Sequence, residues 1–127
     1  MPRLLLDTHI ILWWIGDAEQ FGAATKIAIS DPGTEIFYSA ISEWEISVKE
    51  AKGKLKIDWR EFDRLIKTNQ FHSLAVTPNH GRVAGALPPV HGDPFDRMLV
   101  AQAQVEGLTL VTADRILEKY DVEILRA

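Results

Sequence analysis

Short apolar runs that alternate with stretches of helical periodicity leave this chain few ways to fold. The β-like runs are Arg3–Leu6, Glu35–Ser39, His72–Val76, Leu108–Val111 and Val122–Leu125, and several are apolar on consecutive residues rather than at every second one. Strands of that kind need cover on both faces. Residues 10–15, 22–30, 41–52, 58–68, 81–87, 94–106 and 115–119 between them carry helical patterns. The alternation predicts an α/β fold, a parallel sheet sandwiched between helices. In open sheets of this type, ligands sit beyond the carboxyl ends of the strands, where the strand order reverses. The residues just after each strand are therefore the first to examine.

Composition narrows the classes further. A chain of 127 residues suits one domain spanning residues 1–127, and 46% hydrophobic with 25% charged residues suits a folded one. The absence of cysteine excludes disulfides, thiolate metal sites and cysteine nucleophiles, and is in keeping with a reducing cytoplasm. Apolar runs are interrupted by charge and no basic, cleavable leader opens the chain, so neither a membrane nor an export role is expected. A net charge of −4 argues against a generic basic nucleic-acid binder held by counterion release, so a nucleic-acid role needs a local site.

Such a site is suggested by acids placed where apolar sequence ought to continue. In "LLLDTHIILWW", residues 4–14, Asp7 interrupts what otherwise reads as buried strand and buried helix. Asp114 stands in the same place after "LTLVT", residues 108–112. Either acid can be read as a helix N-cap, and for Asp7 or Thr8 capping is as good an account as chemistry. In residues 41–55, Ile41, Trp44, Val48 and Leu55 define the expected core stripe, with Glu45 on its border and Glu43 and Glu50 on the opposite side. The plain alternative for Glu45 is an ion pair with Lys49, four residues on. In "HGDPFDRMLVAQAQVEG", residues 91–107, Asp93 before Pro94 reads as an N-cap. Asp96 shares a helical face with Leu99, Val100 and Ala103, and Arg97 is turned away from it by roughly 100°.

A carboxylate on that face needs a cation, because the helix dipole supplies only about 0.3–1 kcal/mol against a burial cost of several. No neighbouring Arg or Lys is an obvious partner, and a metal ion would serve. Asp7, Glu45, Asp96 and Asp114 then form an oxygen-only donor set, suited to Mg²⁺ or Mn²⁺ rather than a closed zinc site. His9, His72, His80 and His91 lack HxH or HxxxH spacing and read as surface or capping residues. Open acidic magnesium sites commonly act on phosphates.

The segments "LLLDTH", "SAISEWEI", "DPFDRMLVAQA" and "LTLVTAD", in that order and covering nearly the whole chain, resemble the PIN-domain ribonucleases, most closely the VapC-type toxins of toxin–antitoxin pairs. The resemblance implies a three-layer α/β/α sandwich with strand order 3-2-1-4-5, so that Asp7 and Asp114 neighbour each other at the switch point. It implies that Asp7, Glu45, Asp96 and Asp114 are the metal-binding and catalytic acids, that Thr8 and Thr112 place hydroxyls near the site, and that Asp93 belongs to the subgroup spelling "DPFDR". The activity implied is Mg²⁺- or Mn²⁺-dependent hydrolysis of RNA by an activated water, leaving a 5′-phosphate and a 3′-hydroxyl. Lys49, Lys52, Lys54 and Lys56, with Arg97 and Arg115, are then expected to meet RNA phosphates at the rim, their alternative being a solvated charged face.

The partners implied are an RNA substrate, a small VapB-type antitoxin laid across the acidic pocket, and a second copy in a homodimer. Four tryptophans in so small a domain, with Trp13 and Trp14 adjacent, cannot all face the same core from one short helix, and Trp13 or Trp14 is expected at a partner surface, the alternative being a loosely packed surface tryptophan. Two rival readings belong to other classes. A phosphoacceptor receiver domain requires an Asp after the third strand and a Lys after the fifth, whereas "HSLAVTPNH" supplies no acid and the fifth strand runs into Arg126. A non-catalytic PIN-like RNA-binding domain would not need all four acids.

Overall fold

The computed structural model describes residues 2–16 and 22–127. A parallel sheet of β1 (Arg3–Leu6), β2 (Glu35–Ser39), β3 (His72–Leu74), β4 (Thr109–Thr112) and β5 (Ile124–Arg126) runs in the order β3-β2-β1-β4-β5. The helices are α1 (Thr8–Ile15), α2 (Ala23–Ser30), α3 (Ala40–Ala51), α4 (Trp59–Thr68), α5 (Pro78–Ala86) and α6 (Pro94–Glu106), with a 3₁₀ turn at Arg115–Lys119. The strand order expected from the family resemblance is the one found.

Both faces of the sheet are covered, which is why its central strands carry consecutive apolar residues. Leu4 and Leu6 enter one apolar cluster with Ile10, Ile46, Phe62 and Val111, and Leu5 enters a second with Leu99, Val100, Leu110 and Leu117. Successive residues of a strand point to opposite faces, so an uninterrupted Leu4-Leu5-Leu6 serves both. The register pairs Leu5 with Leu110 and Leu6 with Val111. One step further the Asp7 amide donates to Val111 O at 3.0 Å, which fixes Asp7 beside the end of β4. The chain leaves β1 toward β2 on one side and reaches β4 on the other, so β1 and β4 flank the switch point.

Local chemistry moves several boundaries from their expected places. Helix α5 starts at Pro78, three residues earlier than its apolar pattern, because Thr77 and His80 form a reciprocal capping box ahead of it. Strand β3 ends at Leu74 because only Phe37–Ser39 of β2 pair with it. Helix α6 ends at Glu106 and is capped by Gly107, whose φ of +67° is a left-handed conformation that side-chain-bearing residues adopt at a cost. The expected core stripe of α3 needs correction. Trp44 is 60% exposed, and the buried residues of that helix are Ser42, Glu45 and Ile46. Trp13 and Trp14 are half-buried against the first apolar cluster, so the tryptophan most open to solvent is Trp44.

Candidate metal centre

Asp7 decides between capping and chemistry. Its backbone holds the N-cap position of α1, yet its side chain makes no capping bond. It is instead 3% exposed, with Oδ2 accepting a 2.6 Å hydrogen bond from the Thr112 hydroxyl and Oδ1 buried without a hydrogen-bond partner. Burial, above all, raises its pKa from 3.8, and the Glu45 charge adds to the rise, against the pull of the Thr112 bond, of His9 and, least, of the Thr8 backbone amide, which is too poorly placed to count as a hydrogen bond to Oδ1. A folded chain does not normally bury an unpaired carboxylate oxygen, because that costs several kcal/mol.

Around Asp7 a cleft of about 220 Å³ is lined by Asp7, His9, Trp13, Asp96, Ala113 and Asp114. Three of the four expected acids thus share one cavity. Asp96 reaches it from the first turn of α6, where Asp93 caps the helix by accepting from the amides of Phe95 at 2.8 Å and Asp96 at 3.3 Å. Burial and then the charges of Asp7, Asp93 and Glu45 push the Asp96 carboxyl up to about 7, against a downward pull from His91. Asp114 does two things. Its Oδ1 caps the 3₁₀ turn through the Ile116 amide at 3.0 Å, and its Oδ2 lies 3.4 Å from His91 Nε2. The Thr112 hydroxyl links the two strand ends, accepting from the Asp114 amide at 3.1 Å while it donates to Asp7.

Glu45, 2% exposed, sits behind the cleft and is internally satisfied. Its Oε1 accepts from Thr8 Oγ1 at 2.7 Å and its Oε2 from Lys49 Nζ at 2.6 Å. Thr8 Oγ1 also lies 2.8 Å from Ser42 Oγ. The ion pair with Lys49 weighed against a functional role for Glu45 therefore forms. Desolvation pulls the Lys49 pKa down, but the hydrogen bond and charge of Glu45 outweigh it and the net shift is upward. Lys49 faces the acids and is not a free rim cation.

Arg97 is a second correction to the expected rim. Its Nη1 donates to Pro88 O at 3.0 Å and His91 O at 3.4 Å, and its Nη2 to Ala84 O at 2.9 Å and Leu87 O at 3.0 Å. The planar guanidinium is spent on backbone carbonyls and fixes the loop ahead of α6. Replacing Arg97 with Ala leaves those carbonyls without their donor and is expected to destabilise the fold by about 2–3 kcal/mol in urea denaturation, with Lys recovering less than half. A loss below about 0.5 kcal/mol would mean that the carbonyls find other partners. Lys52, Lys54, Lys56 and Arg115 are exposed, as a rim role requires.

The histidine reading holds for His80, whose Nδ1 accepts the Thr77 amide in the capping box, and His72 is exposed; His9 is exposed too but lines the cleft. His91 was missed. Its Nε2 is 3.0 Å from Asp96 Oδ2 and 3.4 Å from Asp114 Oδ2. Among the described residues, His91, Asp96 and Asp114 offer ligand atoms all within 4.8 Å of one another. The orphaned Asp7 oxygen and the mutual repulsion of Asp7, Glu45 and Asp96 fit a divalent cation, which would supply the missing partner and the missing positive charge.

An acidic cleft at the β1/β4 switch point of a parallel α/β/α sandwich is the architecture of a PIN domain. A family model described as PIN domain matches residues 4–123, and this chain belongs to that family. Ribonuclease VapC22 of Mycobacterium tuberculosis is 30% identical to it over 122 residues, 94% of this chain and 93% of that one. Among solved structures, VapBC2 from Rickettsia felis bound to a DNA fragment from its promoter matches with TM-score 0.72 at 16% identity, over 98% of both chains. DNA-bound VapBC from Salmonella typhimurium matches with TM-score 0.67 at 16% identity, over 99% of this chain and 98% of that one. These two likenesses speak for the fold. Among the described residues no helix is long and apolar enough to cross a membrane.

Proposed function

We propose that this chain is a metal-dependent ribonuclease of the VapC type, a single PIN domain over residues 1–127 that hydrolyses RNA phosphodiester bonds as the toxin of a toxin–antitoxin pair. The observation that carries the reading is the buried, unpartnered Asp7 Oδ1 in a cleft shared with Asp96 and Asp114. The relative named Ribonuclease VapC22 supports the substrate class. Asp7, Asp96 and Asp114 would hold Mg²⁺ or Mn²⁺, with Glu45 beside them. A bound divalent ion polarises phosphoryl oxygens and lowers the pKa of water.

The residues of the chain do the positioning. Thr112 holds Asp7 by its Oδ2 and leaves Oδ1 without a partner, so that it would be free to hold the ion. Thr8 and Lys49 orient Glu45, so its negative charge stays beside the cleft without an uncompensated burial cost. Lys52, Lys54, Lys56 and Arg115 offset the net charge of −4 by meeting RNA phosphates outside the acids. The toxin is held in check by a small VapB-type antitoxin, acts as a homodimer and works in the cytoplasm.

Purified protein is expected to cut RNA at a few sites in exposed single-stranded loops, as an endonuclease, only with Mg²⁺ or Mn²⁺ present, and to leave 5′-phosphate ends. Sequencing the RNA ends with and without chelator tests this. Cleavage that persists in chelator, or ends bearing 2′,3′-cyclic phosphate, would refute a metal-dependent mechanism. No cleavage of any RNA with either ion would favour the non-catalytic RNA-binding alternative.

A further inference from the structure

His91 has no place in the acidic donor set, yet the loop that bears it is built to present its ring to Asp96 and Asp114, two of the acids of the cleft. The His91 amide donates to Tyr120 Oη at 2.9 Å, and its carbonyl accepts from Arg97, whose guanidinium also ties down Ala84, Leu87 and Pro88. The backbone on both sides of the ring is thereby fixed before anything binds. Ring nitrogen Nε2 points at Asp96 Oδ2 (3.0 Å) and Asp114 Oδ2 (3.4 Å). Two donors at right angles on an ion with bonds of about 2.1 Å stand about 3 Å apart. The observed spacings, which also suit an ion pair, admit these three side chains as neighbouring ligands on one ion, their ligand atoms all lying within 4.8 Å of one another. An independent sign that this cleft takes a ligand is Asp7, more than nine-tenths buried, which lines the same cavity and lacks a partner at Oδ1.

We propose that His91 is a nitrogen ligand of the metal centre, completing the Asp96–Asp114 side and giving the site a preference for a first-row transition ion, Mn²⁺ among them, over Mg²⁺. This rests on reading the cleft as a metal centre and says which ion it selects. A set of carboxylates alone discriminates weakly between Mg²⁺ and Mn²⁺. One imidazole changes that, because Mg²⁺ is a hard ion that keeps oxygen ligands, whereas a transition ion accepts nitrogen readily. The fixed loop adds to the effect, since the ligand is held in place before binding.

The test compares wild type with His91→Gln, which keeps a polar side chain but removes the imidazole. Mn²⁺ and Mg²⁺ affinities are measured by calorimetric titration, and Mn²⁺-loaded protein is examined by pulsed electron paramagnetic resonance for coupling to a coordinated imidazole nitrogen. Wild type is expected to bind Mn²⁺ about tenfold or more tightly than Mg²⁺. In His91→Gln that ratio should fall toward one, mostly through weaker Mn²⁺ binding, and the nitrogen coupling should vanish. An unchanged ratio, or no imidazole coupling in wild type, would overturn the role of His91 while leaving an acid-only metal centre intact. Failure of wild type to bind either ion would overturn the metal centre itself. His91→Asn, shorter by one methylene, guards against misfolding of a single variant, and both must match wild type in circular dichroism for the comparison to count.

Discussion

Asp7→Asn is expected to abolish metal-dependent RNA cleavage while leaving the metal-free protein as stable as wild type or more so. The substitution keeps the shape of the side chain and an oxygen for the Thr112 hydroxyl, and it removes one charge from the cleft. Loss of a ligand that anchors a Lewis acid removes several kcal/mol of transition-state stabilisation, about 10²–10³-fold in rate or more. The stability effect has the opposite sign because burial raises the Asp7 pKa above 3.8. The folded state therefore keeps its proton to higher pH than the unfolded chain, and ionised Asp7 opposes folding above that range. Asn carries no such cost, so the melting temperature in chelator should stay level or rise by up to a few degrees, at about 4 °C per kcal/mol for a domain of this size. Stabilisation on adding Mn²⁺ should shrink in the same variant, since less binding free energy is linked to folding. Intact cleavage together with a fall in melting temperature in chelator would mean that Asp7 serves the fold alone.

That pairing of outcomes follows from what the sequence makes legible at Asp7 and what it does not. An acid between Leu6 and Ile10, in a run that must be buried on both sides, betrays its own cost, and the parallel register then carries it to the end of β4. The strand order needed the family resemblance, because alternation alone permits several orders. Glu45 was placed inward by a stripe that turns out to be rotated. Helical spacing with Ile41 and Val48 puts Trp44 in the core, whereas the space beside Thr8 takes the small Ser42 and lets Glu45 in behind it. A periodicity rule ranks residues by hydrophobicity and cannot see that a hydroxyl 34 residues away creates a polar niche. His91 and Arg97 were hidden for a related reason. Positions 91, 96 and 114 form no spacing motif, because a loop, a helix and a strand end meet only in three dimensions. The helical period correctly turned Arg97 away from Asp96, but its partners are carbonyls of residues 84, 87, 88 and 91, which no side-chain pattern announces.

The crowding of acids has a second consequence, a pH response that reverses when metal is added. Asp96 is pushed up to about 7 by burial and by Asp7, Asp93 and Glu45, from an ordinary value of 3.8. Below the ordinary value Asp96 is protonated in both states and contributes nothing to the slope. Between there and about 7 the folded protein binds more protons than the unfolded chain, so stability falls as pH rises through that window. In chelator, the melting temperature is expected to drop by several degrees between about pH 5 and pH 8, and Asp96→Asn should flatten most of that slope. A saturating divalent ion favours the ionised carboxylates and competes with their protons, so the ion should stabilise strongly at pH 8 and little at pH 5. Cleavage should decline on the acid side of about pH 7 for the same reason, with excess metal shifting the decline to lower pH. Thermal melts across this range, with and without metal, separate this account from a purely structural one. A slope that survives unchanged in Asp96→Asn would show that this carboxyl is not its source, and a metal effect equal at both ends of the range would show that the carboxylates are not coupled through a shared cation.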